Sequence, residues 1–99
     1  MTAGETRTRR YFTLYARPNG LSQARIGIIA SRRVAPRAVD RNRMKRMVRE
    51  MFRVMHGRGT GMDIVVQLRR CPGPGAAIAT ARAELSRLLE EIAALAGDK

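Results

Sequence analysis

Residues 38–56 carry the pattern that most constrains this chain. Met44, Met47, Val48, Met51, Phe52 and Met55 recur at i, i+3, i+4, i+7, i+8 and i+11, a continuous apolar stripe at helical spacing. Asn42, Lys45, Arg46, Arg49 and Arg53 fall opposite it, within an arc of about 100° on a helical wheel. One face of this helix must therefore be covered by other elements, while the other must face water or an anion. Asp40 near the start suits the positive end of the helix dipole, and Gly57 can stop the helix. Methionine at this spacing is core filler, and the stripe is assigned no chemistry.

A charged helix face is often merely solvated, held by ion pairs one turn apart. Here only Asp40 and Glu50 are acidic within the helix, and like charges at that spacing repel. Residues 32–53 hold nine basic and two acidic side chains, in a chain whose net charge is +12 and whose sequence pI is near 11.7. Such a chain requires a polyanionic partner. Of the 20 basic residues, all but Lys45 and Lys99 are arginine, which favours bidentate contacts with phosphates and base edges. The segment from Cys71 onward is slightly acidic and is not expected to face a phosphate backbone.

The same residues exclude other classes. Cys71 and His56 are each the only one of their kind, so a zinc cluster, an intramolecular disulfide and a catalytic histidine pair are ruled out. Asp40, Glu50 and Asp63 are dispersed, and no catalytic residue is assigned to the polypeptide. No apolar run approaches the roughly 18 residues needed to span a bilayer, and MTAGETRTRR lacks the apolar core of a signal peptide. A cytoplasmic protein with no membrane partner and no small-molecule substrate is expected.

Strands flank the helix. In RYFTLYAR (10–17), Phe12, Leu14 and Ala16 alternate with Tyr11, Thr13, Tyr15 and Arg17. Pro18, Asn19 and Gly20 supply a turn, and Arg25 to Ser31 reads as a second strand, with Gly27 as a bulge. The two are expected to form an antiparallel hairpin. MDIVVQLR (62–69) reads as a third, buried strand after the glycine-rich GRGTG. Ile78, Ala81, Leu85, Leu88, Leu89, Ile92 and Leu95 then share one face of a C-terminal helix that should cover the sheet. The order strand, strand, helix, strand, helix gives an α+β two-layer sandwich with a small mixed sheet. The length suits one RNA-binding domain over residues 1–99, with 1–8 expected to be disordered.

Ser31, Arg32 and Arg33 leave the second strand just before the helix and should lie beside Arg41, Asn42 and Arg43 as a basic wall. Tyr11, Thr13, Tyr15 and Arg17 point away from the core in the alternation, offering rings and guanidinium groups of the kind that single-stranded RNA stacks on. Tyr11 is equally able to pack under the C-terminal helix.

The stretch RIGIIASRRVAPRAVDRNRMKRMVREMFR resembles the signature of the bacterial ribonuclease P protein subunit, and the resemblance extends more weakly over residues 9 to 70. It implies a catalytic RNA that hydrolyses precursor tRNA to remove the 5′ leader, using Mg²⁺ held mainly by that RNA. The protein would bind the catalytic RNA through Arg41, Asn42, Arg43, Lys45, Arg46, Arg49 and Arg53, with Ser31, Arg32 and Arg33. Tyr15, Tyr11 and Arg17 would contact the leader. It also implies a left-handed strand–helix–strand crossover, against the usual rule. Family members usually begin with a helix carrying Phe residues, a pattern that MTAGETRTRR lacks. A structural RNA-binding protein, such as a ribosomal protein, is the alternative reading of the charge.

Overall fold

The computed structural model describes residues 4–20, 24–55, 61–73 and 75–97. The elements run β1 (Glu5–Thr8), β2 (Phe12–Pro18), β3 (Arg25–Ile29), α1 (Ala38–Met55), β4 (Met62–Leu68) and α2 (Ala76–Gly97). They form one mixed sheet in the order β1-β2-β4-β3 and a layer of two helices, the expected α+β class. His56 and Gly57, read as the end of the first helix, lie outside the described residues.

The expected hairpin between β2 and β3 does not form. Strand β4 lies between them, antiparallel to β2 from Phe12↔Leu68 to Pro18↔Met62 and parallel to β3 from Arg25↔Asp63 to Ile29↔Gln67. Electrostatics favours the observed order. A hairpin of the expected strands would set Arg17 against Arg25, a destabilising like-charge pair, whereas the observed register puts Asp63 between them. Asp63 takes Arg25 bidentately, from Nε at 2.8 Å and Nη2 at 2.9 Å, and accepts a bond from Asn19 Nδ2 at 2.9 Å. These bonds, Arg25 first, hold the Asp63 carboxyl down at about 2.

Within residues 1–8, expected to be disordered, Glu5–Thr8 form β1, which pairs with β2 from Glu5↔Ala16 to Thr8↔Thr13. The alternating pattern there is hidden because Arg7 takes an inward position opposite Leu14. Its guanidinium reaches Glu91 of α2 at 3.4 Å, and Arg9 meets the same carboxylate at 3.1 Å. Gly27 is not a bulge either, since it pairs regularly with Val65.

Phe12, Leu14 and Ala16 of β2 and Met62, Ile64, Val66 and Leu68 of β4 share one sheet face. They form the core with Met44, Met47 and Val48 of α1 and Ala81, Leu85, Leu88, Leu89 and Ile92 of α2. Met51 and Phe52 pack at its margin. Both helices thus cover one face and leave the other without a helix among the described residues.

Helix α2 also secures the start of β2. The backbone N–H groups of Tyr11 and Phe12 both donate to Glu84 Oε2, at 2.8 and 3.0 Å. Glu84→Ala leaves both amides without that acceptor and should lower stability by about 1–3 kcal/mol in urea unfolding. Glu84→Gln, which keeps an acceptor oxygen, should lose less. Because the Asp63 carboxyl is depressed in the folded state, its contribution to stability is complete above about pH 4 and disappears as pH falls toward 2. Asp63→Asn should flatten the pH dependence of unfolding in that window and leave its shape at neutral pH unchanged.

Candidate nucleic-acid interface

The segment between β3 and α1 is built before it is charged. Val34 N–H donates to Ser31 Oγ at 3.2 Å and Ala35 N–H to Ser31 O at 2.9 Å, closing a tight turn. Ala35 is fully buried and pins the turn to the core. Arg32 and Arg33 are consequently held out in solvent. Arg37 O accepts the N–H groups of Asp40 and Arg41, both at 3.1 Å, as α1 begins.

Within the Arg-Asn-Arg run the three side chains are not equivalent. Arg41 is half-buried, and its Nη1 donates to the carbonyls of Ala35 and Pro36, each at 2.9 Å. Arg43 pairs with Asp40 at 3.0 Å, and Arg37 approaches the same carboxylate at 3.7 Å. Arg41 and Arg43 thus hold the loop and the first turn of the helix. Asn42, Arg46, Arg49 and Arg53 are exposed and Lys45 is half-buried. Among the described residues, these four cations make no ion pair. With Met44, Met47 and Val48 anchored in the core, the helix cannot rotate that row away from solvent.

The helix-free sheet face has a different chemistry. Its register sets Thr6, Tyr15, Val65 and Gly27 in one row, Thr8, Thr13, Gln67 and Ile29 in the next, and Arg17, Asp63 and Arg25 on the other side of Tyr15. Tyr15 is 42% exposed, and its hydroxyl donates to Gln67 Oε1 at 3.1 Å. Gly27 bears no side chain and Ile29 is 47% exposed, so an uncrowded apolar surface borders the Tyr15 ring. Arg17 is exposed at the edge of this surface.

Tyr11 and Thr13, expected beside Tyr15, are buried. Tyr11 belongs to the core cluster, with Arg10 lying 5.6 Å from its ring centroid, and its ring is not available for stacking. Tyr15 and Arg17 are exposed as the alternation of β2 predicts; Thr13 lies on the same face but is covered there, and Tyr11, just ahead of the strand, packs into the core. Val65 and Gln67 were missed as neighbours of Tyr15, and Gly27 and Ile29 as the strand beyond them. The period-2 pattern of 62–69 selects Val65 and Gln67, but only the strand order brings them to Tyr15. Among the described residues, no three His, Cys, Asp or Glu side chains gather as a metal site.

The model of the family described as Ribonuclease P matches residues 1–95. The "Ribonuclease P protein component" of Chromobacterium violaceum is 45% identical over 65 residues, covering 66% of this chain and 54% of that protein. This chain spans about half the length of the curated relatives it matches. Among solved structures, the RNase P protein from Thermotoga maritima superposes with a TM-score of 0.61 at 33% identity, covering 93% of this chain and 82% of that one. A Staphylococcus aureus RNase P protein mutant gives a TM-score of 0.74 at 27% identity, over 90% of this chain and 75% of the other. With nearly the whole length matched, and the fold shared with solved members, the chain belongs to the ribonuclease P protein family.

Proposed function

We propose that this chain acts as the protein subunit of ribonuclease P, binding a catalytic RNA and the single-stranded 5′ leader of precursor tRNA during 5′ maturation in the cytoplasm. The observation that carries the reading is the α1 surface: a row of exposed cations without ion pairs among the described residues, fixed in orientation by a buried methionine stripe. Self-repulsion along such a row is relieved by a phosphate backbone, with release of the counterions that the RNA had condensed. Asn42, Lys45, Arg46, Arg49 and Arg53 meet the catalytic RNA directly. Arg41 and Arg43 contribute their remaining N–H groups while holding the helix start, and Ser31 sets the turn that presents Arg32 and Arg33.

The leader lies on the helix-free sheet face, where a base stacks on Tyr15 and Arg17 meets a neighbouring phosphate. In this reading hydrolysis belongs to the RNA, with the Mg²⁺ that it holds. The protein supplies placement of the leader and screening of phosphate charge.

Reconstitution with a bacterial catalytic RNA at low Mg²⁺ should show cleavage of precursor tRNA raised by the protein; an equal rate without it would refute the assignment. The Arg46→Ala/Arg49→Ala variant should keep its melting temperature and reduce the slope of log affinity against log salt for the catalytic RNA by about 2. Tyr15→Ala should weaken binding of leader-bearing precursor by about 1–3 kcal/mol, leave mature tRNA unaffected, and be largely rescued by Tyr15→Phe.

A further inference from the structure

The arginines at the start of α1 are held differently from those further along it. Asp40 is the only carboxylate among residues 32–49, and it stands in the first turn, where the helix dipole favours a negative charge. Its two oxygens serve two guanidinium groups. Oδ1 accepts from Arg43 Nη2 at 3.0 Å, and Oδ2 lies 3.7 Å from Arg37 Nε. The Asp40 side chain is 21% exposed, against 50% for Arg43 and 77% for Arg37, so an anchor set back in the fold holds two forward cations. The half-buried Cys71 thiol, beyond the end of β4, senses the same pair: burial and then Asp40 push it up, and Arg43 opposes them. Asp40 therefore sits on the flank of α1 near this thiol, off the row made by Arg46, Arg49 and Arg53.

Ion pairs this exposed contribute little to stability, and their main effect is on the freedom of the arginines. Arg43 donates to Asp40 through Nη2 alone and keeps donors for a further anion. Held in this way, it meets an RNA with much of its side-chain entropy already lost. The carboxylate between the two guanidinium groups also repels any phosphate that does not meet their outward donors. Specificity is built from such repulsive elements as much as from attractive ones. Lys45, Arg46, Arg49 and Arg53, without ion pairs among the described residues, have no such restraint and can follow a phosphate wherever it lies.

We infer that Asp40 is a selectivity residue of the α1 surface. It fixes Arg37 and Arg43 so that only an RNA with phosphates placed for both gains from them, and it turns away the phosphates of other RNAs. This rests on the reading of α1 as the docking surface for the catalytic RNA, and it adds Arg37 to that surface.

The test measures binding of the full chain, over a range of salt, to the catalytic RNA of a bacterial ribonuclease P and to an RNA hairpin of arbitrary sequence. In Asp40→Asn the released arginines should reach the hairpin's phosphates, steepening its slope of log affinity against log salt by about 1–2 and tightening its binding about tenfold near physiological salt. The slope for the catalytic RNA should stay as it is, with affinity no higher, because the same phosphates are met in both proteins. Asp40→Glu, which keeps the charge, should restore discrimination. Placing Asp40→Asn in an Arg37→Ala background should remove about half of the gain in hairpin slope, a readout that a merely structural role for Asp40 would not move. An equal gain for both RNAs, no change for either, or a loss for both in step with a fall in melting temperature would overturn the inference. If the wild-type chain did not distinguish the two RNAs, the docking reading of α1 would fall and take Asp40 with it. Wild-type discrimination preserved in Asp40→Asn would remove the role of Asp40 alone.

Discussion

Strand β4 pairs with β2 on one side and β3 on the other, and most of the remaining structure depends on that position. Its Met62, Ile64, Val66 and Leu68 form the floor against which both helices pack, while Asp63, Val65 and Gln67 lie on the reverse side. The central place is specified twice. Apolar residues make β4 the strand that is best buried, and the Asp63 carboxylate separates two arginines that direct pairing of β2 with β3 would have opposed. Once β4 is in place, Tyr15 acquires Gln67 and Val65 as neighbours and β3 delivers the 31–37 segment to the start of α1.

Helix α1 then divides labour between its faces. Burial of Met44, Met47 and Val48 fixes its rotation, and this rotation keeps Asn42, Arg46, Arg49 and Arg53 in solvent. Arg41 and Arg43 occupy an intermediate position, bonded to the preceding loop and to Asp40. A residue type chosen for anion contact is used here partly as local scaffolding, so substitutions in the Arg-Asn-Arg run will mix structural with binding effects more than substitutions at Arg46 or Arg49.

The helices, the third predicted strand and the α+β class were legible because each is written in local periodicity. Strand order was not, since it depends on partners far apart in sequence, and hairpin formation between neighbouring strands is only the commonest outcome. Strand β1 escaped notice because an arginine takes one of its inward positions and reaches a carboxylate on α2. At the candidate site the cationic row of α1 and the exposure of Tyr15 could be read directly. The burial of Tyr11 could not, because alternation assigns a side of the strand without saying what covers it.

The central strand is also the last of the four to be synthesised. While the chain is being made, β1 and β2 can pair as a hairpin, but β3 has no neighbour until Leu68 has emerged, and α1 has no complete floor to pack on. Pairings of such long sequence separation are slow to form and leave strand edges open in the meantime. The strong positive charge carried by everything up to Arg70 then serves the nascent protein in another way, by keeping unfinished copies apart until the strand that completes the sheet arrives.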